Sequence, residues 1–283
     1  MKVLRAEKAG FCMGVILALR KLDELIARGE ERPLYTLGAI IHNPQVLEEY
    51  AEKGVKTANE PEEIPPGAVA VIRAHGVPRD IKGRLRRRGV LVAEATCPKI
   101  RTAQRLILRA AREGDFLLLY GEENHPEVQS LLSYARAGAF LFETREQLAS
   151  FPLSPSNSYC LASQTTQNES IFEEIAGRLD ACGDCRVTVL RTICDATRQR
   201  QEEAIRIARQ VDFMVVAGGF NSGNTRRLSQ VISAQNVPVV QVELARDLPL
   251  EKLKGIATVG LTAGASTPRR IIDEIQSTLE NLV

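Results

Sequence analysis

The stretch Val90-Leu-Val-Ala-Glu-Ala-Thr-Cys-Pro98 shows the pattern on which the whole chain is built, because a short apolar run ends at a cysteine and a proline. Similar runs alternate with amphipathic stretches throughout, which is typical of βα units around buried parallel sheets. The predicted strands cover residues 2–6, 34–37, 68–73, 90–95, 116–120, 139–142, 158–163, 187–193, 212–217, 237–242 and 256–261. Apolar residues at helical spacing from Val15 to Arg28 predict a helix that Gly29 ends. The predicted fold class is α/β with mostly parallel sheets.

Length and composition narrow the class of protein. A chain of 283 residues exceeds one hydrophobic core, so two or three domains are expected. The 37 Lys and Arg residues nearly balance the 35 Asp and Glu residues, which argues against a nucleic-acid partner. A charged N-terminus and the lack of long apolar runs predict a cytoplasmic protein with no membrane contact. Six scattered cysteines indicate metal or redox chemistry rather than disulfides.

Three cysteines occupy equivalent positions in a repeat. Cys12, Cys97 and Cys194 each follow a predicted strand and are 85 and 97 residues apart. One set of polar residues follows them after 30, 28 and 28 residues, and a second set follows after 63, 68 and 72 residues. In order, the first set is His42, His125 and Ser222, and the second is His75, Thr165 and Ser266. The spacing implies three similar structural units.

The repeat predicts three similar α/β domains, which cover residues 14–97, 98–194 and 195–283, with the N-terminal strand in residues 1–13 completing the last. All nine residues of the repeat fall where a predicted strand gives way to a Gly, Pro or Asn turn. Open α/β sheets bind ligands at these carboxyl ends. We therefore expect a pseudo-threefold arrangement around one central site.

Thiolates favour iron–sulfur clusters, zinc or Cu(I), and three of them leave a fourth position open for substrate or water. Each cysteine alone is as easily a small buried hydrophobe, but the shared position in the repeat favours a common metal centre. Cys182-Gly-Asp-Cys185 is a competing motif for a redox disulfide or zinc. A strand over 187–193 would separate this pair from Cys194 by roughly 25–30 Å, so a turn is favoured there. Cys160 is expected in the core.

Three histidines and two further helix starts suggest an anion site. His42, His75 and His125 each precede a helix that begins at proline, where backbone N–H groups and the helix dipole favour phosphate or diphosphate. The segments around Ser222 and Asn224 and around Ser266 also begin helices, although such residues are equally common as N-caps. No glycine-rich Walker or Rossmann motif is present, so a nucleotide is not indicated.

Glu127 is the candidate general acid, although a glutamate in the first turn of a helix more often complements the helix dipole. Thr165 and Thr166 are expected either to orient it or to cap a helix. A basic run follows residue 83 and consists of Arg84, Arg86, Arg87 and Arg88. This run is either an ordinary solvated surface or a docking patch for an acidic electron carrier.

At these motifs the sequence resembles the 4-hydroxy-3-methylbut-2-enyl diphosphate reductases from end to end. The matching phrases are Ala-Gly-Phe-Cys12-Met-Gly-Val, Ile-His42-Asn-Pro, Ala-His75-Gly-Val-Pro, Ala-Thr-Cys97-Pro, His125-Pro-Glu127, Gln164-Thr165-Thr166, Ile-Cys194-Asp-Ala-Thr, Asn221-Ser222-Gly223-Asn224 and Thr-Ala-Gly-Ala-Ser266. One position departs from the family, which often has a second serine at Gly223, so one side-chain contact to diphosphate is missing.

The resemblance implies one 4Fe-4S cluster per chain, bound by Cys12, Cys97 and Cys194, with one iron that has no protein ligand. It implies reductive dehydroxylation of (E)-4-hydroxy-3-methylbut-2-enyl diphosphate to isopentenyl and dimethylallyl diphosphates, the last step of the methylerythritol phosphate route of isoprene biosynthesis. Two electrons and two protons are consumed and water is released. Reduced ferredoxin or flavodoxin would supply the electrons.

The resemblance also implies roles for individual residues. The residues expected to hold the substrate are His42, His75, His125, Thr165, Thr166, Ser222, Asn224 and Ser266. The catalytic candidates are Glu127 as the proton source, with His125 and Thr165 beside it. Two alternatives stay open, namely a zinc-dependent hydrolase or phosphatase built from the same Cys and His residues, and a non-catalytic redox or metal-sensing module that uses Cys182 and Cys185.

Overall fold

The computed structural model describes residues 1–183 and 185–282, and for Cys182 the backbone alone. The strands are β1 (Lys2–Arg5), β2 (Leu34–Leu37), β3 (Lys56–Ala58), β4 (Val69–Ile72), β5 (Leu91–Glu94), β6 (Phe116–Tyr120), β7 (Ala139–Phe142), β8 (Ser158–Ser163), β9 (Arg186–Val189), β10 (Phe213–Ala217), β11 (Val239–Val242) and β12 (Thr258–Ala263). The helices are α1 (Met13–Ala27), α2 (Pro44–Glu52), α3 (Arg79–Arg87), α4 (Pro98–Arg112), α5 (Pro126–Leu132), α6 (Arg145–Ala149), α7 (Glu169–Cys182), α8 (Asp195–Ala208), α9 (Gly223–Ser233), α10 (Leu250–Leu253) and α11 (Arg269–Glu280), with 3-10 helices at Pro61–Glu63 and Ala245–Asp247. Among the described helices, none combines the length and the apolar composition needed to cross a membrane.

The strands form three four-stranded sheets, in the orders β3-β2-β4-β5, β7-β6-β8-β9 and β11-β10-β12-β1. Every described strand pair is parallel, which confirms the α/β fold class. The three sheets share one topology. Counted across each sheet in the order given, the chain forms the second strand, then the first and then the third, and the fourth strand pairs with the third. The third sheet differs in that its fourth strand, β1, comes from the N-terminus.

Two strands differ from the sequence prediction. The prediction missed β3, a three-residue edge strand with two exposed polar residues, Lys56 and Thr57, and no apolar run to reveal it. The predicted strand 187–193 ends at Val189. Beyond it, the Thr192 hydroxyl accepts a hydrogen bond from the Ser163 N–H (2.8 Å) and donates one to the Ser163 carbonyl (2.7 Å). Beyond Val189, the Thr192 side chain therefore makes the hydrogen bonds to Ser163 that the backbone of a longer strand would make.

The chain divides into two compact units. Unit 1 contains Met1–Ile16, Ile41–Glu49 and Asp195–Val283, and unit 2 contains Leu17–Ile40 and Tyr50–Cys194. Unit 1 holds the sheet β11-β10-β12-β1, while unit 2 holds the other two sheets. The three-domain boundaries expected from the sequence stay a prediction.

Each face of the unit 1 sheet is covered by apolar side chains. Along β10, Val215 points into a cluster with α11, while Met214 and Val216 point into a second cluster with α8 and α9. The same alternation occurs along β6 in unit 2, where Leu118 and Leu117 belong to different clusters. Sheets covered on both faces require continuous apolar strands, which explains why these strands were readily predicted from the sequence.

Helix α8 anchors the connection between β1 and α1 within unit 1. The Glu203 carboxylate accepts hydrogen bonds from the backbone N–H groups of Glu7 (3.0 Å) and Lys8 (2.8 Å). The Arg200 guanidinium donates to the carbonyl of Gly10 at 2.7 Å. Gly10 has a φ of +100°, a conformation that favours glycine. Two buried charged side chains thus fix the turn that precedes Cys12.

We expect Glu203→Ala to lower the free energy of unfolding by about 1–3 kcal/mol, because two backbone N–H groups lose their acceptor. Urea denaturation measures the change. The neighbouring Glu202 is the matched control, since its side chain is exposed and forms a long ion pair with Arg198 (3.8 Å). Glu202→Ala should change stability by less than about 0.5 kcal/mol. Equal losses in the two variants would contradict the anchoring role.

Candidate functional site

Each set of residues in the sequence repeat follows the strand at one particular position in all three sheets, counted in the orders given above. The second strands lead to His42, His125 and Ser222, the third strands lead to His75, Thr165 and Ser266, and the fourth strands lead to Cys97, Cys194 and Cys12. All nine residues lie after the carboxyl end of a parallel strand and before the next helix. Each sheet therefore presents three polar side chains at its ligand-binding edge.

The cysteines make the same backbone contact in all three sheets. Each donates its N–H to a carbonyl in the loop that follows the neighbouring third strand. The Cys97 N–H bonds to Ala74 (2.9 Å), the Cys194 N–H to Thr165 (3.0 Å) and the Cys12 N–H to Ala265 (3.1 Å). Because the acceptors adjoin or coincide with the second polar set of the repeat, each cysteine is held beside one of its members.

These three thiols have the properties of metal ligands. Each is half-buried and lies directly before the first residue of a helix. Cys160 differs, because burial in β8 raises its pKa to about 12 and keeps it a thiol. Cys185 packs at the edge of an apolar core cluster, and the side chain of its predicted partner Cys182 lies outside the described residues. The donor chemistry of Cys12, Cys97 and Cys194 fits an iron–sulfur cluster.

In unit 1, His42 and Ser266 are in contact. The Ser266 hydroxyl donates to the backbone carbonyl of His42 at 3.0 Å. Asn43 caps α2 by accepting the Val46 N–H at 3.0 Å, which sets the start of the helix after His42. A side chain at Gly219 would lie 3.2 Å from the His42 carbonyl, so this glycine permits the close approach of two loops. Three loops of unit 1 thereby bring His42 and Ser266 together.

Ser222 and Asn224 lie at the start of α9. The Ser222 hydroxyl accepts the Thr225 N–H at 3.3 Å and so acts as an N-cap. Asn224 is 7% exposed, and within the described part of the chain its Nδ2 has no hydrogen-bond partner. A buried amide without an acceptor is costly unless a ligand supplies one. Its position at a helix N-terminus favours an anion as that ligand.

In unit 2, two of the predicted histidines are neighbours. The rings of His75 and His125 meet edge to face with their centroids 5.4 Å apart. The Glu127 N–H donates to Nδ1 of His125 at 3.2 Å, so a neutral His125 ring carries its proton on Nε2. Arg73 supports the His75 turn by donating from Nε to the Gly76 carbonyl at 3.2 Å.

Glu127 and Thr165 form a buried polar pair in unit 2. The Glu127 carboxylate accepts the Thr165 N–H at 2.6 Å and the Thr165 hydroxyl at 2.9 Å, and the glutamate is 1% exposed. Burial raises the pKa of Glu127 to about 7, against the opposing effect of the two hydrogen bonds from Thr165. Such a carboxyl group can hold or release a proton near neutral pH.

Thr166 has a different role from Thr165. Its hydroxyl accepts a hydrogen bond from the Gln164 amide nitrogen, Nε2, at 3.0 Å. The oxygen of the same amide group, Oε1, accepts the Glu122 N–H at 3.0 Å. Sequence reasoning did not assign a role to Gln164, which is fully buried. It also missed Arg73 and Arg200, because a charge beside a strand or within a helix gives no sign of burial.

The chain was compared with known proteins. The family model described as LytB protein matches residues 3–280. The 4-hydroxy-3-methylbut-2-enyl diphosphate reductase of Nitratidesulfovibrio vulgaris (strain DP4) is 52% identical over 290 residues, which cover 100% of both chains. A solved (E)-4-hydroxy-3-methyl-but-2-enyl diphosphate reductase, described as the terminal enzyme of the non-mevalonate pathway, is 38% identical over 99% of each chain, with a TM-score of 0.70.

The fold is also shared with a more distant structure. The E-1-hydroxy-2-methyl-but-2-enyl-4-diphosphate reductase from Plasmodium falciparum matches with a TM-score of 0.93 at 24% identity, over 99% of this chain and 88% of that one. The family match extends over nearly the whole chain and includes all three cysteines of the repeat. The chain therefore belongs to the LytB protein family.

Proposed function

We propose that this chain is a 4-hydroxy-3-methylbut-2-enyl diphosphate reductase. It would reduce (E)-4-hydroxy-3-methylbut-2-enyl diphosphate with two electrons and two protons, giving isopentenyl and dimethylallyl diphosphates and water. The observation that carries the proposal is the cysteine that follows the fourth strand of every sheet and directly precedes a helix, with the same N–H contact each time. The name of the 52% identical relative supports the choice of substrate.

Cys12, Cys97 and Cys194 would hold one 4Fe-4S cluster. When bound, the cluster supplies single electrons and an iron with no protein ligand, which can act as a Lewis acid toward the substrate hydroxyl. Reduced ferredoxin or flavodoxin would deliver the electrons in the cytoplasm, as the family resemblance implies.

The diphosphate would be bound by the imidazoles of His42, His75 and His125 together with Ser222, Asn224 and Ser266, and Thr166 would contribute to holding the substrate. The Asn224 amide offers two N–H donors that are unused by the described protein, and α9 adds the positive end of its dipole. The proton on Nε2 of His125 is a further donor, because its Nδ1 is occupied by the Glu127 N–H. Imidazole and amide N–H groups would thus act as hydrogen-bond donors to the polyanion.

Glu127 would supply protons to the reacting hydroxyl and carbon. Its raised pKa leaves about half of the carboxyl groups protonated at pH 7. Thr165 holds both carboxylate oxygens and would place the substrate hydroxyl or an intervening water through its own hydroxyl. The link from the Cys194 N–H to the Thr165 carbonyl couples the position of this pair to that of a cluster ligand.

Anaerobic turnover of the allylic diphosphate with an artificial reductant tests the proposal directly. Formation of the two isoprenoid diphosphates by protein that contains iron and sulfide is expected. Colourless protein that retains zinc and releases phosphate would instead identify the hydrolase alternative.

We expect Cys194→Ser to lose most of its iron and its brown absorbance, since the hard hydroxyl is a poor ligand for iron–sulfur centres. Metal analysis and visible spectroscopy after anaerobic reconstitution measure this. Cys160→Ala is the matched control, because this cysteine lies in the core of β8. It should keep its full iron content. Iron retained at the wild-type level by Cys194→Ser would remove Cys194 from the ligand set.

Glu127→Gln should lower kcat by roughly 10²–10⁴-fold while iron content stays unchanged, because the amide cannot donate an acidic proton. Steady-state kinetics with an artificial reductant measure the loss. Glu123→Gln, which neutralises an exposed glutamate four residues away, should keep wild-type turnover. Wild-type kcat in Glu127→Gln would refute the role as proton source.

The pH dependence follows from the sign of the Glu127 shift. Burial raises the pKa to about 7, so the acidic form required for proton donation decreases as the pH rises through 7. We expect kcat to fall by about tenfold per pH unit well above pH 7 and to level off below it. The residual activity of Glu127→Gln should lack this descending limb. A limb that persists unchanged in that variant would assign it to another group.

A further inference from the structure

Positive charge is concentrated on helix α4. Residues 98–112 contain five cations and no Asp or Glu, so the helix contributes +5 to a chain whose net charge is +2. The net charge of the remaining residues is therefore −3. Four of these cations are exposed arginines spaced at helical intervals, and we call them the arginine stripe: Arg101, Arg105, Arg109 and Arg112. The opposite face of α4 is buried against the core of unit 2.

The arginine stripe begins beside a proposed cluster ligand. Cys97 immediately precedes α4, and its carbonyl accepts the Arg101 N–H at 3.0 Å. Arg101 is therefore one helical turn from the thiol, and the stripe extends from there for about 17 Å, at 1.5 Å per residue. A protein bound along the stripe would therefore contact the helix that begins directly after Cys97.

A half-buried tyrosine lies at the same end of the stripe. The Arg79 guanidinium lies 5.3 Å from the ring centroid of Tyr134. Burial raises the pKa of the Tyr134 hydroxyl. The positive charges of Arg79 and Arg101 oppose this rise and the Glu94 carboxylate adds to it, so two cations and one anion are near the ring. An aromatic ring set among arginines is the composition enriched at the energetic centres of protein interfaces.

The stripe is poorly neutralised by the protein itself. Within the described residues, its ion pairing is limited to Arg109 and Glu113, at 3.3 Å. Arg105 donates to the Thr102 hydroxyl, which carries no charge.

The basic run noticed in the sequence is different. Arg84 donates to both carboxylate oxygens of Glu62 (2.7 and 2.8 Å) and lies 3.8 Å from Asp80, while Arg88 donates to the Glu62 carbonyl. Two of the four cations in that run are thus engaged with Glu62 while Arg86 and Arg87 stay exposed. In the stripe, three of the four arginines form no ion pair with a described residue, so α4 offers the larger available basic surface.

We propose that the arginine stripe, with Arg79 and Tyr134, is the docking surface for a small acidic one-electron carrier protein that reduces the cluster. The inference rests on the proposed function. Each docked carrier gives up one electron and leaves oxidised, so two carriers are consumed for each substrate. The two electrons and two protons break the allylic C–O bond, form a C–H bond and release water. Charge complementarity would speed the encounter and align the carrier.

The test compares two double charge reversals of equal size in the cluster-containing enzyme. Arg101→Glu with Arg105→Glu alters the stripe, and Arg86→Glu with Arg87→Glu alters two exposed arginines on α3. Titration calorimetry with an oxidised acidic ferredoxin should show binding weakened about tenfold or more by the stripe variant, and nearly unchanged by the α3 variant. Wild-type binding should weaken steeply with added salt.

Kinetics separate the docking surface from the reaction itself. With reduced ferredoxin, kcat/KM should fall in the stripe variant to the same degree as binding, whereas turnover with reduced methyl viologen should match wild type. Equal loss in both double variants, or unchanged ferredoxin binding by the stripe variant, overturns the docking surface. So does binding of the stripe to vesicles of acidic phospholipid in place of ferredoxin. Failure of wild-type turnover with methyl viologen would instead refute the proposed function.

Discussion

The hydrogen bond from each cysteine N–H to the loop beside it is the contact on which the site depends. In a parallel sheet, neighbouring strands end at the same edge, so the loop after the fourth strand meets the loop after the third. The bond from Cys97 to Ala74 recurs at Cys194 and Cys12 with nearly equal length. It leaves each thiol half-buried at the start of a helix. One backbone interaction therefore sets the location of every proposed cluster ligand.

The cost of burying a charge determines the protonation of the polar groups near these loops. Glu127 has lost nearly all contact with water, and a carboxylate there is stabilised by the two hydrogen bonds from Thr165. These bonds do not fully offset desolvation, so the pKa stays near 7. Because the Thr165 carbonyl also accepts the Cys194 N–H, movement of the cysteine loop would disturb the carboxyl group.

The loop before Cys12 follows a strand whose partner in the sheet is distant along the chain. In the sheets of unit 2, the third and fourth strands follow one another closely along the chain, whereas β1 pairs with a strand more than 250 residues away. Charged residues on α8 hold its outgoing loop at Gly10, Glu7 and Lys8. Buried charges placed on backbone groups supply the restraint that a short connection supplies elsewhere.

The strands, the helix starts and the common position of Cys12, Cys97 and Cys194 were determined by the sequence alone, because apolar periodicity and turn residues act over a few neighbouring positions. The three-residue β3 carried too little of this signal. The burial of Glu127, the anchoring by Arg200 and Glu203, and the contrast between a neutralised Arg84 and an open arginine stripe were decided only by the tertiary structure. Those properties depend on which distant side chains meet, and no local pattern encodes the desolvation or the partner of a charge.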